Sequence, residues 1–139
     1  MIEFHFETRF ELSNIEKYRG WIRTVCVSEG YGVGDLNYIF CDDSYLLDIN
    51  RKYLQHDTLT DIISFDYTVG KIISGDIYIS VERVRENGNE YKVPFEDELL
   101  RVMSHGLLHL AGYKDKKEAH IQEMRSKEEE KIKMFHVEQ

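Results

Sequence analysis

Residues 94–115, with the sequence PFEDELLRVMSHGLLHLAGYKD, predict a helix and the turn that ends it. Pro94 fits the first turn of a helix, and the three acids that follow favour the positive end of the helix dipole. Gly112 can adopt the left-handed conformation in which many helices end. Because His105 and His109 lie four residues apart, the predicted helix presents both imidazoles on one face.

The chain before this helix carries strand patterns at four places. Apolar and polar residues alternate in 2–6 and again in 74–81, which is the pattern of a strand with two different faces. Residues rich in β-branched and aromatic side chains predict two more strands, within 31–41 and 60–67.

Helical spacing predicts further helices between and after these strands. Residues 13–16 (SNIE) form a capping box, which starts an amphipathic helix, and Asp43 opens a second one. The pattern turns helical after residue 81, and the charged segment 116–135 predicts a last helix whose charges cover a solvated face. This order of elements predicts an α+β or α/β single domain with helices packed on a small mixed sheet.

Composition and charge limit the classes of protein. A chain of 139 residues, 42% of them hydrophobic and 32% charged, suits one globular domain. The net charge of -8 argues against a protein that coats nucleic acid, although a local basic patch can still bind RNA. Cys26 and Cys41 are expected as buried thiols. No signal peptide and no membrane-spanning run is visible, so we expect a cytoplasmic protein without a membrane partner.

The histidine pair predicts a metal site. The turn at Gly112 returns Asp115 toward His105 and His109, and three protein ligands with an open fourth position are typical of catalytic zinc. Two histidines at this spacing also occur without a metal, but the glycine turn and the acid favour one Zn²⁺ per chain, bound by His105, His109 and Asp115.

The spacing also resembles that of the metzincin proteases. Those enzymes place a glutamate, their general base, directly after the first histidine. Here that position is Gly106, which speaks against a zinc peptidase and leaves the general base unassigned.

Three blocks of the sequence more closely resemble the YbeY-type rRNA maturation endoribonucleases. HGLLHLAGYKD (105–115) is similar to the family's HGxLHLxGYDH, HDTLTDIISFD (56–66) to its segment ending in DxPTDVLSF, and SGDIYIS (74–80) to its GDIxIS strand. The blocks stand in the family's order. Three positions depart from it: Asp115 replaces the usual third histidine, Leu59 replaces a proline, and Leu54 replaces an arginine that is implicated in RNA cleavage. Arg51, one turn earlier, is a candidate substitute.

The resemblance implies an α+β fold, in which residues 1–139 form a single domain with a four-stranded mixed sheet and helices around a metal cleft. It implies a zinc-dependent, single-strand-specific endoribonuclease that acts in rRNA processing at the 3′ end of small-subunit RNA and in ribosome quality control. The expected partners are precursor rRNA and the small ribosomal subunit. A non-catalytic, zinc-stabilised ribosome-associated protein stays open because of Leu54.

Five more residues are candidates for supporting roles. Lys114, Lys116 and Lys117 form a basic cluster that either binds RNA phosphate or is solvated surface. Asp61 and Asp76 are candidates to accept a hydrogen bond from a ligand histidine, which would fix its tautomer. Asp61 is equally compatible with a turn or cap.

Overall fold

A four-stranded mixed sheet organises the chain. The computed structural model describes residues 1–137, and its strands are β1 (Ile2–Phe6), β2 (Gly32–Cys41), β3 (Ile62–Asp66) and β4 (Ile72–Ser80). Their order across the sheet is β1-β2-β4-β3; β1, β2 and β4 are parallel, and β3 runs antiparallel to β4. The predicted α+β fold with a small mixed sheet is confirmed.

Five helices connect or follow the strands in the described chain. They are α1 (Ile15–Ser28), α2 (Asp43–Leu54), α3 (Val81–Tyr91), α4 (Phe95–Leu110) and α5 (Glu118–Val137). None of these helices is both long enough and apolar enough to cross a bilayer. The domain predicted over 1–139 thus extends by two residues, 138–139, beyond those that the structure describes.

Different helices pack on the two faces of the sheet. Ile77 and Ile79 on β4 are fully buried in the main core, together with residues of α1, α3 and α4. Tyr78 points the other way and packs in a smaller cluster with Leu46 of α2. Because side chains alternate along a strand, the helix with the histidine pair lies on the Ile77 face only.

Helix α5 packs against helix α1. The indole Nε1 of Trp21 on α1 donates a hydrogen bond of 2.7 Å to the carbonyl of Lys131, and the ring of Phe135 meets Trp21 edge-on at 5.6 Å. Both Glu128 and Lys131 of α5 are buried. The expectation that the charges of this helix cover a solvated face is therefore wrong at two positions, because α5 packs against both α1 and α4.

One local expectation also needs correction. The capping box at 13–16 does not form: α1 starts after Asn14, which is left-handed at φ 61°, and Glu16 pairs with Arg19 instead. The second helix begins at Asp43, as the sequence predicts, and its N-cap is Asp42, whose carboxylate accepts from the backbone amide of Tyr45 at 2.9 Å.

Candidate metal centre

The end of α4 sets the position of the site. Gly112 has φ 97°, and the amides of Gly112 and Tyr113 donate to the carbonyls of His109 and Leu108 at 3.0 and 2.9 Å. These two bonds form a Schellman motif, which requires a left-handed residue at the glycine. The motif reverses the chain sharply, so that Asp115 returns to the histidine face of α4.

Three potential ligand atoms converge there. The Nε2 atoms of His105 and His109 lie 3.2 and 3.3 Å from one carboxylate oxygen of Asp115. The potential ligand atoms of all three residues lie within 4.8 Å of one another. The two imidazole rings stand nearly perpendicular, with centroids 4.5 Å apart.

The second nitrogen of each ring has its own partner. His109 Nδ1 lies 3.0 Å from the carbonyl oxygen of Tyr113, which can only accept, so Nδ1 carries the proton and the lone pair of the neutral ring is on Nε2. His105 Nδ1 lies 2.6 Å from a carboxylate oxygen of Glu128. A carboxylate acceptor favours the same tautomer, so both Nε2 lone pairs face the oxygen of Asp115.

This donor set fits a metal ion. Two imidazole nitrogens and one carboxylate oxygen are acceptors, and three acceptors in close approach repel one another unless a cation lies among them. Nitrogen and oxygen donors in this number match the ligands of catalytic zinc. The chemistry of the donors therefore fits the ion that the sequence pattern predicts.

A network of ionised side chains lies behind the histidines. The guanidinium of Arg101 donates to both carboxylate oxygens of Glu98, at 3.0 and 2.5 Å, and lies 3.4 Å from Glu128 and 3.7 Å from Asp61. Burial opposes the charge on Arg101, but its hydrogen bond to Glu98 and the attraction of the three carboxylates raise its pKa. We call these four residues the cleft cluster.

The ligand atoms open into a cleft of about 790 Å³. It is lined by residues of α2, the segment before β3, β3 itself, α4 and the turn after it: Asn50, Leu54, His56, Thr58, Thr60, Asp61, Ile62, Ile63, Ser64, Arg101, Val102, His105, His109, Asp115 and Lys116. The cleft thus includes both the predicted metal ligands and the position where the resembling family commonly carries an arginine. Arg51, the candidate substitute, pairs with the exposed carboxylate of Asp57.

The three predicted lysines do not form one patch on this cleft. Lys116 lines it, whereas Lys114 lines a neighbouring groove of about 450 Å³ together with Tyr31 and Lys71. Lys117 is exposed and lines neither.

Neither aspartate proposed as a partner of a ligand histidine contacts one. Asp76 lies on the Tyr78 face of the sheet, away from α4, and accepts a hydrogen bond of 3.0 Å from the Asn37 amide. Asp61 lines the cleft, but its carboxylate faces Arg101 and Asn87. The acid that contacts the Nδ1 atom of His105 is Glu128.

Sequence spacing alone contains a weak signal for Glu128. The buried residues of α5 are Met124, Glu128, Lys131 and Phe135, which recur at helical spacing. This stripe is visible in the sequence, but its two charged members hide it from any search for apolar periodicity.

Gly106 lies against the sheet. A Cβ atom there would come within 3.0 Å of Ile62 Cδ1 and 3.1 Å of two side-chain atoms of Ile77. The residue after the first histidine therefore faces the core and not the cleft. A glutamate at this position could not act as the general base of a peptidase without displacing α4 from the sheet.

The chain is similar to known proteins in both sequence and fold. The sequence model of the family described as Endoribonuclease YbeY matches residues 4–136. Proteins named Endoribonuclease YbeY from Flavobacterium psychrophilum and Flavobacterium johnsoniae are each 60% identical to this chain over 139 residues, covering all of it and 99% and 100% of the relative. A solution structure of a Thermotoga maritima protein superposes with a TM-score of 0.69 at 26% identity, covering 99% of this chain and 91% of that one.

Proposed function

The chain belongs to the endoribonuclease YbeY family of nucleases, and from this premise we propose that it is a zinc-dependent endoribonuclease that cuts single-stranded rRNA precursors. The metal ligands in this proposal are His105, His109 and Asp115. The observation that carries it is the convergence of two imidazole Nε2 atoms on one carboxylate oxygen, at 3.2 and 3.3 Å. Such a group of acceptors is stabilised by a divalent cation.

In this proposal the metal ion and the protein side chains have separate roles. Bound zinc supplies Lewis acidity toward a phosphoryl oxygen. The chain fixes the two rings through the carbonyl of Tyr113 and the carboxylate of Glu128, and Lys116 places an ammonium group on the wall of the same cleft. Lys114 and Lys117 lie further along the surface and extend the positive charge available to an RNA backbone.

The shape of the site supports a single-stranded substrate. The side chains of His105 and His109 are only 18% and 30% exposed, so a phosphate has to enter the cleft to reach them. A single strand can bend and turn its bases outward, whereas the regular backbone of a duplex cannot. We propose the 3′ end of small-subunit rRNA as the substrate region, with action on the small subunit in the cytoplasm and in ribosome quality control, because the family resemblance implies these roles.

A second candidate is a non-catalytic ribosome-associated protein that uses zinc for stability. Leu54 favours it, because an apolar side chain that is 44% exposed lies in the cleft where a cation would assist RNA cleavage. A zinc peptidase is disfavoured by the contact of Gly106 with the sheet.

The test combines elemental analysis with cleavage assays on single-stranded RNA, duplex RNA and a peptide. We expect one zinc per chain and cleavage of the single strand only. Replacing His105, His109 or Asp115 by alanine should abolish both, whereas His136→Ala, an exposed histidine on α5, should change neither.

The outcomes separate the candidates. Stoichiometric zinc that persists in all three ligand variants would contradict the metal site. Stoichiometric zinc without RNA cleavage would favour the non-catalytic protein, and cleavage of the peptide alone would favour the peptidase.

A further inference from the structure

We propose that Glu128 is a positioning residue that fixes the tautomer and ring orientation of His105 and thereby sets the metal affinity of the site. The inference rests on the proposed metal function. Glu128 does not touch the converging ligand atoms; it acts through the far nitrogen of the ring.

The contact is short and enclosed. The carboxylate oxygen of Glu128 lies 2.6 Å from His105 Nδ1, and only 2% of the residue is exposed. A carboxylate that is excluded from water accepts a hydrogen bond from a ring N–H strongly. The neutral ring is thus held with its proton on Nδ1 and its lone pair on Nε2, the atom that faces Asp115.

Arg101 fixes the carboxylate in turn. Its guanidinium lies 3.4 Å from the other oxygen of Glu128 and is itself held at 3.0 and 2.5 Å by Glu98. Glu98 and Arg101 lie on α4, two turns and one turn before His105 respectively, so the same helix carries the ligand and the cation that orients its partner. Glu128 comes from α5 and bridges the two.

The two histidines are fixed by different devices. His109 donates to the backbone carbonyl of Tyr113, which the Schellman turn already places. His105 depends on a side chain from another helix. A hydrogen-bonded carboxylate makes an imidazole more basic and a better ligand, and loss of such a partner typically weakens metal binding 10- to 100-fold.

The experiment compares substitutions at two adjacent acids of α5. Glu128→Leu removes the acceptor, Glu128→Gln keeps a neutral one, and Glu129→Leu makes the same change at an exposed position. Two quantities are measured on folded protein: the ring-nitrogen chemical shifts of His105 in the metal-free state, and the zinc dissociation constant by competition with a chromophoric chelator.

We expect wild-type His105 to carry its neutral-state proton on Nδ1. Glu128→Leu should move it toward the Nε2–H form common in free histidine and weaken zinc binding about 10- to 100-fold. Glu128→Gln should lie between wild type and Glu128→Leu, and Glu129→Leu should match wild type. A purely structural role of Glu128 would lower the melting temperature without changing either quantity.

Two results would overturn the proposal. One is a wild-type His105 that carries its neutral-state proton on Nε2, which needs no variant to fold. The other is a folded Glu128 variant whose tautomer and zinc affinity equal those of Glu129→Leu. Absence of zinc binding in the wild type would contradict the proposed function instead, and the tautomer measured without metal would still decide the role of Glu128.

Discussion

Helix α5 buries two opposite charges three residues apart, and their surroundings differ. Glu128 faces the cleft cluster, where one guanidinium meets the carboxylates of Asp61, Glu98 and Glu128. Lys131 faces α1 in a second group, the α1 cluster, where two ammonium groups meet two carboxylates: Glu29, Lys127, Glu130 and Lys131. The first group has an excess of negative charge, whereas the second is balanced.

The difference in charge balance between the two clusters shows when a buried charged residue points to a functional site. In the α1 cluster, Lys131 is fully buried, yet its ammonium group donates to Ser28, Glu29 and Glu130 at 2.6 to 2.9 Å. Burial alone would raise the pKa of Glu29, but hydrogen bonds from Lys131, Tyr113 and Lys127 lower it. Each charge there has a partner, so the group needs no ligand.

The cleft cluster is completed only by something that brings positive charge. Glu128 of this cluster contacts the Nδ1 atom of His105. The Nε2 atom of the same ring faces Asp115, where three acceptors meet. An uncompensated buried charge is costly, and the divalent cation that we propose at the histidines would compensate it. The useful signal is thus the imbalance of charge together with convergent acceptors, and not burial itself.

The largest effect, on the free energy of unfolding, is expected from removing a charge from the balanced α1 cluster. Lys131→Met keeps the side-chain length but leaves Glu29 without its closest cation, and unfolding should become easier by about 3 kcal/mol. The zinc content of the folded protein should stay at one per chain. Urea unfolding and elemental analysis measure the two effects, with the exposed Lys133→Met as control. Loss of zinc from folded Lys131→Met would mean that the two clusters are not independent.

A chelator should act at the proposed metal ligands beside the cleft cluster and leave the α1 cluster unchanged. A metal that binds only the native state stabilises it by about 2.7 kcal/mol when its free concentration is 100 times the dissociation constant. Chelation should therefore lower the melting temperature of wild type and of Lys131→Met by the same amount. His105→Ala should show no response. A response of wild-type size in His105→Ala would remove His105 from the site.

A cation added to the cleft should improve RNA cleavage. Leu54→Arg places a guanidinium in a cleft with excess carboxylate, where RNA phosphate must bind, and we expect kcat/KM to rise about tenfold, or 1.4 kcal/mol. Tyr53→Arg adds the same charge one residue away, at a side chain that does not line the cleft, and should leave kcat/KM unchanged. Equal gains in both variants would indicate a general charge effect.

The smallest effect concerns the salt dependence of RNA binding. Each lysine that contacts a phosphate of a single strand contributes about 0.7 to the slope of log affinity against log salt. Lys116→Gln should reduce the slope by this amount, whereas Lys127→Gln should not, because Lys127 is paired with Glu29 in the α1 cluster. Unchanged slopes for both would show that RNA does not contact Lys116.

Local geometry explains which features the sequence predicts well. The approach of His105, His109 and Asp115 depends on one helical turn and one glycine turn within eleven residues. Both follow from backbone geometry that spacing alone encodes. The strand alternation around Ile77 is local in the same sense, and it is confirmed.

Features that depend on which elements pack together are not visible in the sequence. Alternation gives β4 two faces but does not say which one α4 covers, so Asp76 was placed beside the site and lies on the opposite face. Glu128 and Arg101 are 27 residues apart and meet only because α4 and α5 pack side by side. The capping pattern at 13–16 fails for a different reason, since Asn14 takes a left-handed conformation that starts the helix one residue later.

The packing of α5 also has a consequence for biosynthesis. A ribosome releases the chain from its N-terminal end, and α5 emerges after every other described element. Until residue 128 has left the ribosome, His105 lacks its carboxylate partner, and until residue 135 has emerged, Trp21 lacks the ring that packs on it. A growing chain can therefore bring His105, His109 and Asp115 together before the carboxylate that holds the His105 ring has emerged.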